Sequence, residues 1–319
     1  MSQIHSKKSE LRLGVIIPVK NRRDLVIATL VSIKRQSVNP WRVIVIDDGS
    51  TDGSAQAVED WLAAEQPKWE AVVFRQKPSG VSAARNQGAR MANGADLLAF
   101  LDSDDQWSED FVERALAAFD ANPLLVAATA DRIDVVHNIK AITETLIPWP
   151  CGTAMATGVL CKRILICCSA SVFQANAFNR SGGFPQGQNY GEDQILALKI
   201  STMGPWSRID SRPIKRHLFL SSGNETTTHL SSILEANQLQ NYAELLEKVA
   251  LEYGCFDDIR SLVSGRWRRA AKAMHAQGRI NEATTCYKHA LLCNPWNFKA
   301  HLEKFTISVG ILIFPKTGS

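Results

Sequence analysis

Several things are scarce in this 319-residue sequence. No Cys-x-x-Cys pair occurs among its seven cysteines, and an odd number cannot close into a full set of disulfides. Cys167 and Cys168 stand side by side inside an apolar stretch. The pattern excludes a zinc ribbon or a disulfide scaffold and reads as buried, reduced thiols of a cytosolic protein. Long apolar runs are also lacking. The longest, Phe305 to Phe314, would extend about 15 Å as a helix, half of a roughly 30 Å hydrocarbon core. It is expected to be a packed terminal helix or strand, or a shallow membrane contact, but not a membrane span. The polar start, MSQIHSKKSE, has none of the marks of a secretory signal. Net charge is only +4, so no nucleic-acid partner is expected. Residues 256–319, however, hold ten Lys/Arg against four Asp/Glu, which leaves the rest of the chain at −2. Such a basic tail suits a peripheral contact with an anionic membrane face, or simply a solvated helical face.

What is present is an ordinary globular composition, 45% hydrophobic and 21% charged, at a length that suggests two domains. The chain is organised around Ala95 to Trp107, ADLLAFLDSDDQW. Leu97, Leu98, Phe100 and Leu101 predict a buried strand, and the strand stops at Asp102-Ser103-Asp104-Asp105. Carboxylates this close repel one another, and a hard divalent ion held by oxygens would relieve them. The bland alternative is a solvated acidic turn with Ser108 as N-cap of the next helix.

Around that stretch, apolar β-branched runs alternate with helical periodicity. Leu13 to Val19, Trp41 to Ile46 and Ala71 to Arg75 read as strands. Asp24 to Gln36, a segment ending at Ala64, and the small-residue Gly80 to Ala92 read as helices. The alternation implies a parallel sheet with helices on both faces. A helix over Ser108 to Asp120 precedes two apolar segments, Leu124 to Ala130 and Arg132 to Val136. Residues 140–162, rich in Pro and Gly, read as a long loop, and loops of that length are often functional. Arg163 to Phe173 reads as a strand, Ser181 to Pro185 as a turn, and Tyr190 to Gln194 as the opening of a helix that runs to Met203 with Ile195, Leu198 and Met203 inward. One or two short strands follow in Arg208 to Leu220. Beyond a boundary near residue 220 the chain turns helical, over Ser232 to Glu252, Asp257 to Gln277 and Ile280 to Cys293.

Three pieces in order, VIIPVKNR with IVIDDGSTDGS, then GVSAARNQGARMANGADLLAFLDSDD, then GGFPQ with YGED, resemble the family 2 glycosyltransferases. The resemblance covers residues 11 to about 220. It implies a GT-A fold: a Rossmann-like α/β domain over 1–220, its mixed sheet mostly parallel, followed here by an all-α extension over 221–319. It also implies an inverting sugar transfer from a nucleotide-diphosphate donor, a UDP-sugar by family preference, assisted by Mn or Mg. The acceptor class is a glycan or a lipid-linked glycan. By the same resemblance Asp102 and Asp104 match the DXD motif, with Asp104 on the metal and Asp102 on the ribose or the metal shell, and Asp105 in support. Asp47 and Asp48 fall where the family binds the nucleoside, and Asp48 is the preferred acceptor of the base N–H. Pro18 and Val19 would line the base pocket, and Lys20 replaces an aromatic residue often found there. Arg85 and Asn86 match the family's ArN segment. Arg85 would contact the diphosphate or pair with a sheet carboxylate. Asp193 matches the general base of the ED motif, and Glu192 would position the acceptor. His217 lies where many members carry a histidine near the metal. Ser169 and Ser171 face either the acceptor or a buried strand surface.

Trp267, Ala271, Gly278, Ala283, Tyr287, Ala290 and Pro295 resemble one tetratricopeptide repeat near 264–297, a unit suited to packing, to a partner or to a homodimer. Arg266-Trp267 is similar to a pair in processive synthases, but Val263 stands where those carry Gln. A cytoplasmic, membrane-peripheral enzyme is the resulting expectation. Two other readings stay in view. One is a nucleotidyltransferase, disfavoured because the loop after the first strand, PVKNRR, has no glycine to cradle phosphate. The other is an inactive transferase-like scaffold that binds partners through its tail.

Overall fold

The computed structural model describes residues 10–137, 142–148, 166–188, 190–219 and 235–308. Strand β1 (Leu13–Val19) is buried at every position. Its neighbours β2 (Arg42–Asp47) and β4 (Leu97–Phe100) run parallel to it, and β3 (Glu70–Arg75) pairs parallel with β2. Helices α1 (Arg23–Lys34), α2 (Ser54–Glu65) and α3 (Val81–Met91) connect them, and α4 (Phe111–Ala121) follows β4. Alternate β1 side chains feed two cores. Val15, Ile17 and Val19 pack with Leu30, Ile33 and Phe111, whereas Ile16 packs with Ile44, Ala84 and Phe100. This is the expected α/β arrangement, with a near-continuous apolar strand covered on both faces.

The small residues of α3 have a specific reason. A Cβ on Gly88 would lie 2.3 Å from Ile16 Cγ2, so the helix sits on the sheet only because glycine is there. Gly88→Ala is expected to cost about 1–3 kcal/mol through overpacking, visible as a lower urea midpoint with an unchanged slope.

The second half makes the sheet mixed. β7 (Ser171–Gln174) runs antiparallel between β4 and β5 (Ala127–His137). β5 also pairs antiparallel with β6 (Ile142–Ile147) and parallel with β8 (Trp206–Phe219). Several sequence expectations are corrected here. The two apolar segments before residue 137 contribute to one strand, β5, and the described part of the second expectation, Arg208 to Phe219, belongs to one long strand with a register shift near Ala130. Part of the expected loop, Ile142–Ile147, is a strand. It is missed because it is an edge hairpin with little burial, so no inward face imposes a period. The rest of that loop, 140–141 and 149–162, lies outside the described residues. Among the described residues of the run expected as a strand from Arg163, which begin at 166, the strand is Ser171–Gln174. Cys168–Ala170 forms a 3₁₀ turn that carries the chain under the DSDD segment. Ser108 does not cap α4, whose N-cap is Asp110; the Ser108 hydroxyl donates to the Arg212 carbonyl at 2.8 Å.

Helices α5 (Ala175–Arg180) and α6 (Glu192–Ser201) complete this region. The C-terminal part is all helix: α7 (Ala236–Glu252), α8 (Phe256–Ala276), α9 (Ile280–Cys293) and α10 (Phe298–Ser308). Gly278, at φ 74°, turns α8 into α9. The core of the extension, including Tyr242, Trp267, Ala271 and Tyr287, is continuous with Ile195, Leu196 and Ile200 of α6. The boundary expected near residue 220 falls in 220–234, outside the described residues. The five described cysteines are all buried thiols. Among the described residues no helix is long and apolar enough to cross a membrane.

Candidate active site

The parallel strands β1, β2 and β4 end on one edge of the sheet, the edge at which open α/β sheets place ligands. β4 delivers the acidic turn. Asp102 keeps its side chain about a third exposed, and Asp104 is mostly covered. Asp105 is buried at 1% exposure, and its Oδ1 accepts the His217 backbone N–H at 2.9 Å. Burial and then the charges of Asp102 and Asp104 raise the Asp105 carboxyl well above the usual range. Asp105 is thus an anchor of the turn.

Two arginines face the turn. Arg22 Nη1 lies 3.4 Å from Asp104 Oδ2. Arg85, 4% exposed on α3, donates to Asp102 Oδ1 at 2.6 Å and to Glu192 Oε1 at 3.0 Å, with its guanidinium 5.0 Å from the Phe184 ring centre. Burial opposes the charge on Arg85, and the neighbouring acids, Asp102 foremost, more than offset it. Arg85 thus pairs with a carboxylate at the end of β4. Its second partner, Glu192, joins the acidic turn to α6.

Next to Glu192, Asp193 opens α6. Burial first, then the Glu192 charge, push its carboxyl up to about 7, while Arg85 pulls the other way. A carboxylic group held up to about 7 beside a second acid is suited to proton transfer.

The other sequence-predicted residues are placed less simply. Asn86 is buried and pins the GGF turn: Nδ2 donates to the Phe184 carbonyl at 2.8 Å, and Oδ1 accepts the Phe184 N–H at 2.9 Å. Asp48 anchors the loop before α3, accepting Gln76 Nε2 and the Ser79 N–H at 2.7 Å each and the Gly80 N–H at 2.9 Å. Exposed Lys20 stands 3.9 Å from it. Asp47 accepts the Ser50 N–H at 3.1 Å. Pro18 and Val19 are both buried in β1, and Val19 belongs to the core on the α1 face. The His217 ring pairs with His137, Nδ1 to Nε2 at 2.8 Å. Burial, then His137 and Lys215, lower its pKa.

Ser169 and Ser171 do not face an acceptor. Both are fully buried. Ser169 Oγ accepts the Asp102 N–H at 3.1 Å, and its carbonyl accepts Trp107 Nε1 at 2.7 Å. Ser171 Oγ shares a hydrogen bond with Thr129 Oγ1 at 2.8 Å. The support given to the acidic turn by Ser169, and the approach of Arg22, are the contributions that sequence reasoning missed. The cationic KNRR segment after β1 was the available signal for Arg22.

Among the described residues no three of His, Cys, Asp and Glu form a closed metal cage. The donor set is an open one: two hard carboxylates on one turn, each now balanced by an arginine. That fits Mg²⁺ or Mn²⁺, which bind through one or two carboxylates and complete their shell with substrate phosphate and water.

A sheet in the order β3-β2-β1-β4 with an acidic turn at its ligand-binding edge, a buried arginine and a second acidic pair define a GT-A glycosyltransferase domain. The chain belongs to glycosyl transferase family 2, whose family model matches residues 14–179. Similar proteins include TuaG of Bacillus subtilis, named for teichuronic acid biosynthesis, 36% identical over 104 residues that make up 33% of this chain and 40% of TuaG. The fold is shared with S. aureus TarS 1-349 in complex with UDP-GlcNAc (TM-score 0.62, 17% identity, 89% of this chain and 81% of that one). It is shared too with the mannosyltransferase PcManGT of Pyrobaculum calidifontis in complex with GDP-Man and Mn²⁺ (TM-score 0.54, 19% identity, 97% and 91%). The matches span 33–40% of the length of the first curated relatives.

Proposed function

We propose that this chain transfers one sugar, with inversion, from a nucleoside diphosphate donor, UDP-linked by family preference, to a hydroxyl of a glycan or lipid-linked glycan. The observation that carries the reading is Arg85, whose two ends tie Asp102 of the acidic turn to Glu192 of the acidic pair. Donor-side and acceptor-side carboxylates thereby share one buried cation. Asp193 takes the proton from the acceptor hydroxyl as its oxygen attacks the anomeric carbon. The bond to the diphosphate breaks on the opposite face, and the leaving group departs with the bonding pair. Glu192, oriented by Arg85, positions the acceptor. Asp102 and Asp104 would hold a divalent ion, Mn or Mg, and when bound that ion offsets the negative charge of the diphosphate. His217, on the same rim beyond Asp105, would be a further ligand to that ion. Asp47 and Asp48, with Pro18 and Val19 behind them, form the floor for the nucleoside, and Asn86 keeps the GGF turn under Arg85.

The relative named for teichuronic acid biosynthesis supports a cell-envelope polysaccharide as acceptor. In the extension, α8 and α9 would form a tetratricopeptide-like hairpin that packs on the catalytic domain. Exposed Trp296, Phe298, Leu302 and Phe305, beside Lys299, support a peripheral membrane contact on the cytoplasmic side, and the same face would serve a homodimer. The apolar run beyond residue 308 lies outside the described residues.

The test is thermal stability against UDP, GDP, dTDP and CDP, each with and without Mn²⁺. A ligand that binds only the folded state stabilises it, by about 2.7 kcal/mol at a hundred times its Kd, and so raises the midpoint. UDP is expected to raise Tm, more with Mn²⁺, and Asp104→Ala is expected to abolish the Mn²⁺ increment. No shift with any nucleotide would transfer weight to the scaffold reading.

A further inference from the structure

We propose that Tyr242 and Arg266, both in the helical extension, are positioning residues for Asp193, so that the extension forms part of the transferase site. The inference rests on the reading of Asp193 as the base. Helix α6 has Gly191 as its N-cap and no side-chain cap. An uncapped first turn frays, because its N–H groups lack intrahelical partners. Here that turn is held from outside.

Gly191 has φ +74°, and a Cβ on it would meet the Tyr242 ring at 2.5 Å, so its backbone lies directly on the ring. Tyr242 is 1% exposed, and its phenol donates to Gln194 Oε1. Arg266 Nη2 reaches the same oxygen at 3.4 Å, and its guanidinium sits 5.6 Å from the Tyr242 ring centre. Tyr190 meets the Tyr242 ring edge-on at 5.2 Å, and its hydroxyl accepts Arg269 Nη1 at 3.2 Å. Residues 190, 191 and 194 are thus clamped by α7 and α8, and Glu192 and Asp193 lie between them. The Gln194 N–H in turn meets Asp193 Oδ1 at 2.7 Å. Tyr242 does not touch the reacting atoms. It fixes the turn that carries the base, and a misplacement on the order of 1 Å can cost ~100-fold in rate.

The experiment is a double-variant cycle on the full chain, with UDP release from UDP-glucose, UDP-galactose and UDP-N-acetylglucosamine in Mn²⁺ as readout and cooperative melting as the check on folding. Tyr242→Leu is expected to lower kcat about 10- to 100-fold with donor KM unchanged, and Tyr242→Phe, which keeps the ring on Gly191, to restore most of the rate. In an Asp193→Asn background, Tyr242→Leu is expected to have almost no further effect, because groups that act as a unit are not additive. If Tyr242→Leu does not melt cooperatively, Arg266→Met enters the same cycle with the same expectation, since it leaves the buried ring in place. An unchanged kcat, or an equal loss in both backgrounds, would overturn the positioning role. Full activity in Asp193→Asn alone would instead remove the base assignment beneath it.

Discussion

Replacing Asp193 by Asn is expected to lower turnover about 10²- to 10⁴-fold, the usual contribution of a positioned general base, while donor affinity stays the same. The substitution is nearly isosteric and removes only the ability to accept the proton. In the parent protein, kcat/KM should rise with pH through about 7, because the base must be ionised and its carboxyl is held up to about 7 by burial and by Glu192. The variant should lose that limb. Stability provides an independent check. The folded carboxyl titrates near 7 and the unfolded one near 3.8. Below the unfolded value both states hold the proton, and the group is neutral in its effect. As pH rises towards 7 the unfolded state ionises first and is favoured, and above 7 the penalty is constant. Asp193→Asn should therefore melt higher than the parent at pH 8, and the gap should close as pH falls from 7 to 4. A kcat/KM profile that is flat from pH 5 to 8 would contradict this assignment.

Arg85 is expected to have the second large effect. Removing one member of a buried charged network leaves the others uncompensated, typically at about 3–5 kcal/mol. Arg85→Met strands Asp102 and Glu192, which it now touches at 2.6 and 3.0 Å. The expected result is a substantially lower urea midpoint together with loss of UDP release. Arg85→Lys keeps the charge but lacks the planar fork that reaches two carboxylates from one side chain. It should recover part of the stability and little of the rate. A lysine variant with parental kcat would mean that Arg85 supplies charge and not geometry.

Much of this was legible from local pattern. The β1 run LGVIIPV is apolar at nearly every position because both faces are covered, and a parallel strand with its helices announces itself that way. Ile280 to Cys293 was readable as a helix because a hydrophobic stripe, a preceding glycine turn and a following Asn-Pro all act within a few residues. Edge strand β6 was not readable, since a strand with no buried face has no alternation to show. The long β8 was read as fragments because a register shift interrupts its period.

By itself, then, the sequence determined the α/β alternation, the acidic ends of the strands, the helical tail and the family, all of which depend on short-range chemistry. Which carboxylate meets which cation was decided only by the tertiary structure. Arg85 and Glu192 are 107 positions apart, and Asp102 and Ser169 are 67 apart. No local periodicity records such a pairing, because it depends on where the sheet and turns bring distant backbones. The same holds for α6. Its apolar residues are buried all round because the helical extension covers the face that a one-sided reading would leave to solvent. Burial of that kind is a property of the neighbouring surface, and it also raises the pKa of Asp193.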